Sequence, residues 1–113
     1  MERDYIKAKE ICREALMDWR YNVNDHLPDH DGSYYIDWTM DDARYVQSET
    51  NKAIEIILST CMADHKRYEL NQIESKFAEA IKANNIDKCK QVMKEAHWEF
   101  YCIIRALKAI KEV

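Results

Sequence analysis

The sequence predicts an all-α protein: a bundle of three helices, or four if the second one breaks, built around a long central helix. Three observations carry this expectation. One glycine and one proline in 113 residues leave almost no turn punctuation for a many-stranded β fold. Apolar residues recur at spacings of three and four through three long stretches. Hydrophobic residues make up 47% and charged residues 34% of the chain, a balance that suits a folded protein and not a disordered one. A single domain of this length buries roughly 65% of the surface its unfolded chain exposes.

The first helix is expected over about 3–23. Tyr5, Ala8, Cys12, Ala15, Trp19 and either Asn22 or Val23 share one face. It should end in Asn22-Val23-Asn24-Asp25, a run of poor helix formers. Residues 24–38 then read as an irregular loop holding the only proline, Pro28, and the only glycine, Gly32.

The second helix is expected over about 40–83. Thr39-Met40-Asp41-Asp42 resembles a capping box with Asp in place of Glu. Ala43, Val46, Thr50, Ala53, Ile57, Cys61, Asp64 and Tyr68 follow one face, and Leu70, Ile73, Phe77, Ala80 and Ile81 follow another. With no proline or glycine to interrupt it, one continuous helix is the favoured reading. The alternative is a break near 70, at Asn71, which has Glu74 three residues on.

Asn84-Asn85 can end one helix in a left-handed conformation and cap the next. That predicts a C-terminal antiparallel helical hairpin. The last helix, about 86–111, carries the clearest seam: Ile86, Cys89, Met93, Ala96, Phe100, Ile103, Leu107 and Ile110. At 1.5 Å per residue a helix spanning 40–83 would be about 65 Å long, well beyond its neighbours. The overhang could be covered by a second copy, so a homodimer is one expected arrangement.

The charge distribution locates the candidate site. Between Tyr21 and Ala43 the chain carries six aspartates (Asp25, Asp29, Asp31, Asp37, Asp41, Asp42) and no lysine or arginine. The whole chain has a formal net charge of -4, so -6 in this segment leaves +2 for everything else. Tyr34, Tyr35 and Trp38 are interleaved with the aspartates. Concentrated charge speeds encounter with an oppositely charged surface, and aromatic side chains provide desolvated anchors. The expected partner-binding residues are therefore Asp29, Asp31, Tyr34, Tyr35, Asp37, Trp38, Asp41 and Asp42. A second candidate interface lies on the last helix opposite its seam, where Trp98 and Tyr101 stand with Arg105 beyond them.

Metal and catalytic chemistry find less support. Asp29-His30-Asp31-Gly32-Ser33 has the spacing of the middle of a calcium-binding EF-hand loop. Aligning Gly32 with the sixth position, however, puts Leu27 first and Trp38 twelfth, so both end ligands are missing. His26 and His30 have the i, i+4 spacing of zinc ligands on a helix, but Pro28 sits between them and no cysteine is near. His65 and His97 border apolar faces, where a histidine is usually hydrogen-bonded at the core edge. Cys12, Cys61, Cys89 and Cys102 form no CxxC pair and read as reduced thiols of a cytoplasmic protein, with Cys12, Cys61 and Cys89 on apolar seams. No catalytic residue, metal or cofactor is expected.

A pI near 5.6 argues against direct nucleic-acid binding. Lys82, Lys88, Lys90 and Lys94 read as a solvated helix face. No apolar stretch is long enough to span a membrane, and the start MERDYIKAKE does not resemble a signal peptide. The favoured expectation is a non-enzymatic protein–protein interaction module that docks on a basic partner surface. Small acidic inhibitors of the phage type, which occupy the nucleic-acid groove of a processing enzyme, use the same physics. The alternatives are a structural helical subunit of a homo- or hetero-oligomeric assembly, and a small helical metal-binding protein or enzyme.

Overall fold

The computed structural model of the chain describes residues 2–109, with side chains from Tyr5 onward. Among them are four α-helices and no strand, so the all-α class holds. The helices are α1 (Glu2–Asn22), α2 (Met40–Ser59), α3 (Arg67–Lys82) and α4 (Ile86–Ala109). Short 3-10 turns occupy Asn24–His26 and Asp64–Lys66.

One apolar core draws on all four helices. Leu16 and Trp19 of α1, Ile54 and Ile57 of α2, Leu70 and Phe77 of α3, and Met93 and Phe100 of α4 are buried in it. The single buried polar side chain among the described residues, Thr50, accepts the Trp19 indole N–H at 2.9 Å, so burial leaves neither group unsatisfied. The seam of α4 is buried from Cys89 through Leu107. Ile110 and the expected helix end near 111 lie outside the described residues.

The expected long helix over 40–83 does not form. The chain leaves the helix at Ser59 and resumes at Arg67, so the break falls upstream of the one anticipated at Asn71, which lies inside α3. The cause is local. The Thr60 hydroxyl donates to the Ile57 carbonyl at 2.6 Å, and the Met62 N–H donates to the same hydroxyl oxygen at 3.3 Å. A side chain that bonds nearby backbone in this way offers it an alternative to the helical ladder. Cys61 then takes φ +62°, the left-handed conformation that ends helices. Arg67 donates to the Leu58 carbonyl and to Asp64, which ties the far side of the turn to the helix end it leaves.

Two corrections follow from the break. The face read through Ile57 does not continue, and Cys61, Asp64 and Tyr68 are exposed instead of lining the core. The longest dimension is 46 Å, so the helix of about 65 Å whose overhang motivated a homodimer does not arise.

The helix ends show how local chemistry sets the boundaries. Asp42 N–H donates to the Thr39 hydroxyl while Thr39 N–H donates to the Asp42 carboxylate at 2.8 Å, a reciprocal capping box at the start of α2. After α3, Asn84 takes φ +53°, with Asn85 N–H bonded to the Ala80 carbonyl and Asn84 N–H to that of Ile81. This is the Schellman arrangement, which satisfies the last carbonyls of the helix. The Asn85 side chain then accepts from Lys88 N–H at the start of α4.

Candidate functional site

The acidic segment folds into a tight turn seated against α4. Pro28 and Tyr34 form an isolated antiparallel bridge. Inside it, Asp29 N–H donates to the Ser33 carbonyl at 2.8 Å and Gly32 N–H to the Asp29 carbonyl at 2.9 Å. Gly32 holds φ +83°, a conformation side chains resist, and the place where its Cβ would be lies 3.3 Å from the Lys94 Nζ. Asp31 accepts from both the hydroxyl and the N–H of Ser33, and these bonds hold its carboxyl below the usual carboxylate range.

Tyr34 fastens this turn to α4. Its hydroxyl donates to the Lys90 carbonyl at 2.6 Å, and the ammonium groups of Lys90 and Lys94 each lie 5.6 Å from the centre of its ring. Burial pushes the Tyr34 phenol well above its ordinary pKa. These two lysines are therefore partners of the loop, not members of a merely solvated face.

Trp38 is not an exposed anchor. It is 5% accessible and belongs to the core, edge-on to His26 and to Tyr34. It fills the space between the loop and the start of α2, burying a large apolar ring while its indole N–H has no hydrogen-bond partner among the described residues. Asp42 is likewise committed to structure: besides capping α2, it pairs with His26 Nε2 at 3.0 Å. The Thr39 N–H and His26 together lower its pKa. Asp41 is exposed and pairs with Arg44 at 3.1 Å.

Other candidates remain on the surface. Tyr35 is 84% accessible, and Asp29, Asp31 and Asp37 are exposed. On α4, Trp98 is 60% and Tyr101 46% accessible, tilted against one another at 6.0 Å, with the Arg105 guanidinium 5.8 Å from the Tyr101 ring. The turn and this patch meet. Pro28, Asp29 and His30 form one wall of a cleft of about 390 Å³, and Lys94, Trp98 and Tyr101 form the other. Asp37 and Asp41 lie outside that cleft.

His97 was legible only as a core-edge histidine, yet it touches two concavities. It lines the cleft beside the loop and a larger groove between α1 and α4, and it stacks on Trp19 at 6.4 Å. Burial, then the nearby Arg20 charge, depress its pKa. The unfolded chain, with histidine near about 6.5, therefore takes up a proton at this position before the native protein does. Stability must fall as pH drops through that window. Urea unfolding at pH about 7.5 and about 5.5 should show a smaller loss for His97→Gln than for the wild type; equal losses would show that the native ring protonates as freely as an unfolded one.

Among the described residues, no three His, Cys, Asp or Glu side chains converge as a metal site requires. His26 is engaged by Asp42, and His65 is exposed. The four cysteines are free; Cys12 and Cys89 are buried, and burial pushes the Cys12 thiol up to about 11, away from nucleophilic use. No helix among the described residues is long and apolar enough to cross a membrane. No protein-family model, curated protein or solved structure matches the chain.

Proposed function

We propose that the chain is a non-enzymatic interaction module, a helical bundle that presents its acidic turn and the adjoining face of α4 to a basic surface of a partner protein. The observation that carries this reading is the junction of the two surfaces: the exposed Asp29 of the turn stands across one cleft from the exposed Trp98 and Tyr101. Asp29, Asp31 and Asp37 supply the charge that steers encounter. Tyr35, Trp98 and Tyr101 take the anchoring role, with Arg105 at the edge, since Trp38 and Tyr34 are spent on holding the turn in place.

A groove that binds nucleic acid is the kind of basic surface this arrangement matches, so a nucleic-acid-processing enzyme inhibited by occlusion of that groove is the specific form we favour. The same charge would repel nucleic acid itself.

Comparative affinity capture tests this. Tagged wild type and the D29N/D31N/D37N variant are used on lysate of the organism that encodes the chain. The wild type should retain a partner with a basic surface, and the variant should lose most of it at moderate salt. Equal retention by both would assign those aspartates to turn formation and solubility.

A further inference from the structure

A second concavity, separate from the acidic turn, runs between α1 and α4 and has a volume of about 760 Å³. Leu16, Phe100 and Leu107 form its apolar floor, while Met17, 55% accessible, and the half-buried Ile104 stand on its sides. Its lining runs along α1 from Lys9 to Arg20 and along α4 from His97 to Lys108, about 17 Å on each helix at 1.5 Å per residue. The rim is basic in balance: Lys9, Arg13, Arg20 and Lys108 against Glu14 and Asp18. Arg13, Arg20 and Lys108 make no ion pair among the described residues.

From this geometry we propose that the groove docks an amphipathic helix of about three turns from a partner protein, with acidic residues flanking its apolar stripe. Two neighbouring helices leave between them a furrow whose natural filler is a third helix, its side-chain ridges lying in the furrow. The apolar stripe desolvates Met17 and Ile104, and flanking carboxylates meet the arginines and Lys108. The length of the lining sets about three turns. A second copy of the chain does not present this ligand through its acidic segment, which is a loop and a 3-10 turn.

The test uses a fluorescein-labelled peptide of about 14 residues, with leucines at i, i+3, i+4 and i+7 and glutamates flanking them, followed by anisotropy. A matched peptide with lysines in place of the glutamates is the control. The glutamate peptide should saturate and bind at least about tenfold tighter than the lysine peptide. Met17→Glu and Ile104→Glu should each weaken it by about tenfold or more, and the Arg13→Glu/Arg20→Glu pair should reverse the preference between peptides. Met17 is exposed enough that its replacement leaves the fold intact, as circular dichroism would verify. The D29N/D31N/D37N variant should bind the peptide like the wild type, so failure here is distinguishable from failure of the acidic turn. Absence of saturation near 1 mM (about -4 kcal/mol), equal binding of the two peptides, or indifference to both groove substitutions would overturn the proposal. A homodimer in sedimentation that Met17→Glu dissociates would also overturn it, since the groove's occupant would then be a second copy.

Discussion

Replacing Phe77 with alanine is expected to lower the unfolding free energy by about 3–5 kcal/mol. Phe77 is fully buried and among the largest side chains in the core, at a point on α3 where the surrounding helices leave it no access to water. Truncation removes its transfer free energy and leaves a cavity that close-packed neighbours only partly fill. A domain of this size is stable by about 5–15 kcal/mol, so the loss is a large share of the total. With a urea slope of about 1–3 kcal/mol/M, the midpoint should fall by about 2 M. A shift below about 0.5 M would mean that α3 does not hold this face against the core.

Trp98→Ala should have the opposite profile. The side chain is 60% accessible and its ring tilts against Tyr101, so the fold should keep its stability to within about 0.5 kcal/mol. Affinity for the partner should fall by about 2–4 kcal/mol, roughly 30- to 1,000-fold, because a central aromatic anchor contributes most of its energy once it is desolvated. Most of that loss should appear as faster dissociation, since an anchor acts after encounter. Trp38→Ala provides the contrast: it should destabilise the fold, because Trp38 is buried against His26 and Tyr34. Thermal melts and dissociation rates of the two variants measure both effects. If Trp98→Ala melted early and bound normally, the α4 face would be structural.

The α4 seam could be read directly from the chain because a three-and-four spacing through Leu107 admits one buried face. The Trp98 patch was legible for the same reason, as the apolar residues left on the opposite side. The end of α2 was not. It depends on the Thr60 hydroxyl bonding the backbone of Ile57 and Met62 and on a cysteine adopting a left-handed conformation, and neither residue type is a strong breaker. The fates of the loop aromatics were also hidden. Tyr34 is held by Lys90, 56 positions away, and only tertiary packing decides that Trp38 turns inward while Tyr35 stays out. The groove between α1 and α4 escaped for a related reason: its residues belong to helices whose separation no periodicity encodes. Charge was the most transferable signal. Six aspartates without a lysine or arginine marked the turn, although Asp42 proved to be a cap and Asp41 a partner of Arg44.

Association kinetics with the captured partner provide the most direct test of an electrostatically steered docking surface. Rates would be measured at about 50 mM and about 300 mM salt, on either side of a ten-ångström screening length. The wild type should associate about tenfold or more faster at the lower salt, and D29N/D31N/D37N should associate more slowly with a flatter dependence while melting like the wild type. Identical rates and identical salt dependence for the two proteins would contradict the assignment of the acidic turn as the docking surface.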